Sequence, residues 1–177
     1  METIDFEIYT DGSCKGNGKE SSFGGYGYII LEHDLINTER PLIPIAEDAQ
    51  ASAQTTNNRM EMMAIIAATE RAKELAETYD CLVHFNIYTD SAYVFNCYKD
   101  KWYLKWQKNG WKTGKNNVKN QDLWELLIPI FVNPLVKLIK VQGHKDCLYN
   151  NIVDEKVQCV AEELRKIGEQ TEKCLEL

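Results

Sequence analysis

The runs Ile8-Tyr9-Thr10-Asp11-Gly12-Ser13 and Ile87-Tyr88-Thr89-Asp90-Ser91 carry one pattern twice, a β-prone stretch delivered into an aspartate. Around the first, residues 4–11 alternate apolar and polar with period two, which predicts a strand that reaches Asp11 and then turns. Around the second, residues 83–89 are apolar and β-prone, and Asp90 stands where that strand meets a helix. Mixed and parallel sheets gather ligand sites at the carboxyl ends of their strands. Two adjacent strands ending in Asp would set two anions side by side, which is costly unless cations neutralise them. Oxygen-only ligands point to a hard ion, Mg²⁺ or Mn²⁺, rather than zinc. Taken singly, Asp90 before Ser-Ala-Tyr-Val reads as a helix cap. The repeated segment shifts the balance toward a metal site.

The remaining elements follow from periodicity. Residues 24–31 predict a second strand, with glycines where backbone can approach closely. A third strand near residues 42–46 has Pro41 and Pro44, which suit a sheet edge. Residues 57–79 change to a helix, with Met60, Ala64, Ala68, Ala72 and Leu75 recurring every three or four positions. A helical and loop-rich region spans residues 91–132, broken at Gly110 and Gly114. Residues 135–141 predict the last strand, and residues 154–168 a helix that frays into an acidic tail, 169–177. The order β-β-β-α-β-α-β-α describes one α/β domain, residues 1–168, with a mixed sheet covered by helices. At 177 residues the chain suits one domain with a real core, and 44% apolar with 27% charged residues excludes a disordered or collagenous protein. No apolar run approaches a membrane span, and no basic-then-apolar leader opens the chain. Cys14, Cys81, Cys97, Cys147, Cys159 and Cys174 show no CxxC or zinc spacing, so free thiols in a reducing cytoplasm are expected.

Charge is segregated. The total is −7, yet residues 99–119 hold seven lysines against Asp100, a local +6 that leaves −13 for the rest. Trp102, Trp106 and Trp111 interleave with those lysines, and Trp102 and Trp106, four apart, can share a helical face. The alternative for the tryptophans is packing onto the body of the domain, expected for some of them. Two further acids need weighing. Thr56 or Asn57 can cap the first helix, which makes Glu61 a first-turn acid favoured by the helix dipole. It also adjoins Met60, which begins the apolar stripe, and so sits at the edge of the buried face. Asp154 opens the last predicted helix, where capping is the default. Spacing alone does not bring Glu61 and Asp154 to the two strand-end aspartates.

Five motifs in register carry a resemblance. Tyr-Thr-Asp-Gly-Ser-Cys-x-Gly-Asn, Thr-Thr-Asn-Asn-Arg-Met-Glu, Tyr-Thr-Asp-Ser-x-Tyr-Val, Gly143-His144, and Asn150 with Asp154 four residues later resemble type 1 ribonuclease H. The stretch Trp106-Gln107-Lys108-Asn109-Gly110-Trp111-Lys112-Thr113, then Val118-Lys119-Asn120-x-Asp122-Leu123-Trp124, looks like that family's basic protrusion. The likeness runs from about residue 5 to about residue 165. It implies the ribonuclease H fold, a five-stranded mixed sheet flanked by helices. It implies cleavage of the RNA strand of RNA–DNA hybrids by two Mg²⁺ ions (Mn²⁺ as substitute) about 4 Å apart, leaving 3′-hydroxyl and 5′-phosphate ends. Asp11, Glu61, Asp90 and Asp154 match the metal ligands, and His144 the loop histidine acting in proton transfer or product departure. Asn17, Asn57 and Asn58 match contacts to the hybrid near the cut, and Thr56 and Asn120 match a hold on a DNA phosphate. Trp102, Trp106, Lys108, Trp111 and Lys112 suit the DNA strand, sugars on rings and phosphates on ammonium groups. For Asn17 a turn or cap role is an equal reading.

Four departures accompany the likeness. Gly18-Lys19-Glu20-Ser21-Ser22-Phe23 replaces a Pro-Gly stretch, Asp146 stands where a glycine follows the histidine, and Gln54 occupies a position that some members fill with Arg. No hybrid-binding domain precedes the catalytic one, so binding that relies on the protrusion and is strongly salt-sensitive is expected; a monomer is expected as well. An integrase- or resolvase-type nuclease, or a hybrid-binding module without catalysis, is the alternative. The Asn-Asn-Arg-Met-Glu and protrusion motifs argue against the first, and four retained carboxylates against the second.

Overall fold

A computed structural model of the chain describes residues 3–33, 43–142 and 147–175, with side chains described to residue 171. Three antiparallel strands open it, β1 (Thr3–Lys15), β2 (Phe23–His33) and β3 (Pro44–Ala53). Helix α1 (Asn57–Ala76) leads to β4 (Leu82–Thr89), which runs parallel to β1 from Thr3↔Leu82 to Tyr9↔Tyr88. Helices α2 (Ala92–Asp100) and α3 (Trp102–Lys108) precede a two-residue hairpin, β5 (Lys112–Thr113) with β6 (Asn116–Asn117). Then come α4 (Gln121–Phe131), β7 (Val136–Lys140) parallel to β4, and α5 (Leu148–Leu175). The main sheet has the order β3-β2-β1-β4-β7, five strands of mixed direction as expected.

Alternation along β1 sends Phe6, Ile8 and Thr10 to one face, all fully buried. There Phe6 and Ile8 share a core with Met62, Ile65, Ala68 and Ala72 of α1 and with Trp124 of α4, and Met60 and Ala64 of α1 are equally inaccessible. The opposite face forms a smaller core in which Ile29 and Leu31 of β2 pack on Val153 and Val157 of α5. Glycines set that second contact. A Cβ at Gly25 would lie 2.7 Å from the Val157 carbonyl oxygen, and one at Gly27 would lie 3.0 Å from its Cγ2. Backbone of β2 therefore touches α5 directly, which carries α5 toward β1.

Several boundaries differ from those the periodicity predicts. β1 does not turn at Asp11 but continues to Lys15, because Gly12 through Lys15 remain paired with β2 (Gly12↔Tyr26 to Lys15↔Phe23). β3 reaches Ala53 through a run poor in β-formers, held by pairing with β2 rather than by propensity. It is an edge strand, and Pro41 and Leu42 lie outside the described residues. α1 ends at Ala76, leaving Tyr79 to meet Phe6 edge to face and donate to Glu32 Oε2 at 2.6 Å. α5 begins at Leu148, six residues before the predicted start, and extends through Leu175. Cys14, Cys81, Cys97, Cys147 and Cys159 are free thiols. Among the described residues no helix is long and apolar enough to cross a membrane.

Candidate active site

β1 and β4 run parallel, but their ladder ends at Tyr9↔Tyr88, so Asp11 and Asp90 both lie just beyond the last shared pair. Thr10 Oγ1 donates to the Tyr88 carbonyl at 2.9 Å and ties the two strand ends together. Asp90 does not cap α2. Ser91 does, its Oγ accepting from Val94 N at 3.4 Å. The capping explanation for Asp90 is thereby removed.

Glu61 arrives from the other face of the sheet. Thr56 is the N-cap of α1 and accepts from Arg59 N at 3.3 Å, which leaves Glu61 beyond the first turn and 5% exposed. It is not a surface acid answering the helix dipole. Its approach depends on Gly12, where a Cβ would fall 2.2 Å from Glu61 N and 2.3 Å from the Met60 carbonyl carbon. No side chain fits between β1 and α1 there. Asp154 lies nearly two turns inside α5, so the predicted capping role for it fails, its backbone being already committed within the helix. The Gln158 amide, one turn on, donates to both Asp154 oxygens at 2.8 and 2.9 Å.

Oxygens of Asp11, Glu61 and Asp90 all lie within 4.8 Å of one another. Asp154 and Asn150 line the same cavity, about 190 Å³, together with Asn57. Burial pushes the Asp11 carboxyl up to about 7, helped by the charges of Asp90 and then Asp154. Glu61 is also raised well above the usual range, by burial first and then by Asp11 and Asp90, with Lys140 and Asn57 pulling the other way. Lys140 is held in place, its Nζ donating to the Asp90 carbonyl at 2.7 Å and the Val141 carbonyl at 2.9 Å. Asp11 Oδ2 and Glu61 Oε2 are buried with no hydrogen-bond partner among the described residues. Orphaned anionic oxygens converging on one space, with no sulfur or imidazole among them, fit a hard divalent cation.

A second cavity adjoins the first, lined by Asn17, Gly18, Thr56, Asn58, Lys119 and Asn120. Asn17 Oδ1 accepts from Asn57 N at 2.9 Å, so it satisfies the first N–H of α1 beside the Thr56 cap. Arg59 ties this cavity to α4 with bonds of 3.0 and 2.7 Å to Asp122 and a 3.4 Å bond to Asn120. Gln54 faces a different cavity, near Phe23 and Leu164. Trp102, Trp106 and Trp111 are half-buried, and Trp106 contacts Trp102, Trp111 and the fully buried Trp124, the last at a centroid distance of 5.4 Å. They anchor the protrusion, while Lys108 and Lys112 are exposed. His144 lies outside the described residues. Sequence reasoning gave no individual role to Lys119, Lys140, Asn150 or Gln158. Asn150 and Lys119 were visible only as parts of motifs, and Lys140 and Gln158 carry no local signal that distinguishes them from surface residues.

The RNase H family model matches residues 4–162. A ribonuclease H of Clostridium botulinum (strain Hall) is 42% identical over 151 residues, covering 84% of this chain and 89% of that protein. Among solved structures, LC9-RNase H1, described as a type 1 RNase H with the type 2 active-site motif, superposes with a TM-score of 0.72 at 24% identity, covering 92% of this chain and 74% of that one. LC11-RNase H1 in complex with RNA/DNA hybrid gives 0.61 at 21% identity, covering 90% and 98%. At those identities the two structures speak for the fold.

Proposed function

The chain belongs to the RNase H family, and from that membership we propose that it hydrolyses the RNA strand of RNA–DNA hybrids with Asp11, Glu61, Asp90 and Asp154 as its metal ligands. The observation that carries the site assignment is the meeting of Asp11, Glu61 and Asp90 within 4.8 Å, with Asp154 on the same cavity. Two Mg²⁺ ions, or Mn²⁺ in their place, would there activate water and stabilise the leaving 3′ oxygen, producing 3′-hydroxyl and 5′-phosphate ends.

The chain's own residues divide the remaining work. Asp11 and Asp90 come from the paired strands, Glu61 from α1 and Asp154 from α5, so four elements must be correctly packed before the site exists. Asn57, which lines the carboxylate cavity, and Asn17 and Asn58, which line the second one, present amides to the hybrid, donors and acceptors suited to 2′-hydroxyls. Thr56 and Asn120 hold a DNA-strand phosphate, with Lys119 adding a positive charge that Gln54, on another cavity, does not supply. Lys108 and Lys112 bind the DNA backbone from a protrusion stiffened by Trp102, Trp106 and Trp111. His144 assists proton transfer or product departure. Residues 1–168 form the catalytic domain, with an acidic extension of α5 after it, acting as a monomer in a reducing cytoplasm that suits its free thiols.

The test is direct. Purified protein with Mg²⁺ is expected to cut the RNA of a uniform hybrid and spare duplex DNA and double-stranded RNA. Asp11→Asn is expected to remain folded, bind hybrid and not cut. Cutting by Asp11→Asn at the wild-type rate would refute the metal assignment.

A further inference from the structure

One wall of the carboxylate cavity is an uncharged side chain. Asn150 stands one helical turn before Asp154 on α5, is 3% exposed, and lines the cavity with Asp11, Glu61, Asp90 and Asp154. Its Oδ1 is buried and has no hydrogen-bond partner among the described residues. Asp11 Oδ2 and Glu61 Oε2 share both properties. A buried carbonyl oxygen deprived of a donor is destabilising, and native proteins seldom leave one so. Asparagines that serve the fold of this chain do find partners. Asn17 Oδ1 accepts from Asn57 N at 2.9 Å, and Asn133 Oδ1 accepts from Leu135 N at 3.0 Å.

Three acceptors facing one space without a donor require something that brings donors with it. A hydrated divalent cation does so, since it supplies charge to the carboxylates and O–H groups from its remaining waters. Asn is chemically suited to the second task. Its carbonyl accepts a hydrogen bond without adding a fifth negative charge to Asp11, Glu61, Asp90 and Asp154. Spacing is equally apt, because positions four apart share a helical face, so whatever orients Asp154 toward the cavity orients Asn150 there too.

We propose that Asn150 is an outer-sphere ligand of the metal centre, its Oδ1 accepting a hydrogen bond from the hydration shell of a divalent cation held by the carboxylates. The inference deepens the metal-binding reading above and rests on it. Asn150 is a positioning residue: it fixes the orientation of bound water and thereby the affinity of the site.

The experiment titrates Mg²⁺ by calorimetry into the full chain without nucleic acid, and follows thermal unfolding in EDTA and in Mg²⁺. Asn150→Ala is expected to bind Mg²⁺ about tenfold more weakly, yet to unfold in EDTA no earlier than wild type, since the metal-free protein loses no hydrogen bond at Oδ1. Asn150→Asp keeps the acceptor and adds a charge, so it is expected to bind Mg²⁺ at least as tightly as wild type while unfolding earlier in EDTA. The proposal is overturned if Asn150→Ala binds Mg²⁺ as wild type does. It is equally overturned if that variant loses as much stability in EDTA as in Mg²⁺, the signature of a structural hydrogen bond. Should the Ala variant not fold, weaker Mg²⁺ binding by Asn150→Asp overturns it instead. Failure of the underlying reading is distinguishable: absence of any Mg²⁺ binding by wild type removes the metal site itself. A wild-type isotherm abolished by Asp11→Asn upholds that site whatever Asn150 does.

Discussion

Asp11→Asn is expected to make the metal-free protein more stable while abolishing its chemistry. Asp11 is 6% exposed, and burial together with Asp90 and Asp154 lifts its carboxyl from 3.8 to about 7. In the unfolded chain the same group loses its proton near its ordinary value. Between the two values the unfolded state binds fewer protons than the native one, so native stability falls as pH rises. The penalty is absent below about pH 4 and complete above about pH 7. A tenfold change in proton affinity is worth about 1.4 kcal/mol, so the roughly thousandfold change at Asp11 amounts to about 4 kcal/mol. Asparagine has the same shape and no charge, and escapes the penalty. Urea unfolding in EDTA should therefore place Asp11→Asn about 4 kcal/mol above wild type at pH 8, and only about 1.5 kcal/mol above it at pH 5. Adding Mg²⁺ should stabilise wild type and narrow the gap, since a ligand of the native state alone raises stability by mass action. A gap that is absent at pH 8, or equal at both pH values, would show that burial and the neighbouring carboxylates do not raise the Asp11 carboxyl.

Two further outcomes test how the site is held and how substrate is gripped. Gly12→Ala must drive β1 and α1 apart, because the added carbon would sit 2.2 Å from Glu61 N. Unfolding should become easier by about 1–3 kcal/mol and hybrid cutting slower by about 100-fold from misplacement of Glu61. Wild-type values for both would refute the close approach. Replacing Lys108 and Lys112 with Gln should flatten the plot of log binding constant against log salt by about one for each phosphate no longer neutralised. An unaltered slope would remove those lysines from the DNA path.

The sequence carried the order of elements because periodicity is a local property. Alternation in β1, the apolar stripe of α1 and the prolines near the start of the third strand each report on their own neighbourhood, and the sheet has the expected five strands with β3 at its edge. Boundaries were less legible wherever pairing overrode propensity. Gly12 through Lys15 stay in the sheet because β2 continues opposite them, and Ala51, Ser52 and Ala53 are strand because Phe23, Gly24 and Gly25 pair with them. Nothing within those short runs announces this. The early start of α5 had a larger consequence, since it turned Asp154 from an apparent cap into a side chain inside a helix.

Local pattern alone determined that two β-prone runs each lead into an aspartate and that a net positive charge is concentrated in residues 99–119. Those facts depend only on neighbours in the chain, which residue order states directly. Tertiary structure alone decided that Glu61, Asp154 and Asn150 reach the same cavity, and the structure gives the cap of α2 to Ser91 rather than to Asp90. The physical reason is close backbone contact: Gly12 admits α1 against β1, and Gly25 and Gly27 admit α5 against β2. A glycine records the absence of a side chain, but not which distant element comes to occupy the space.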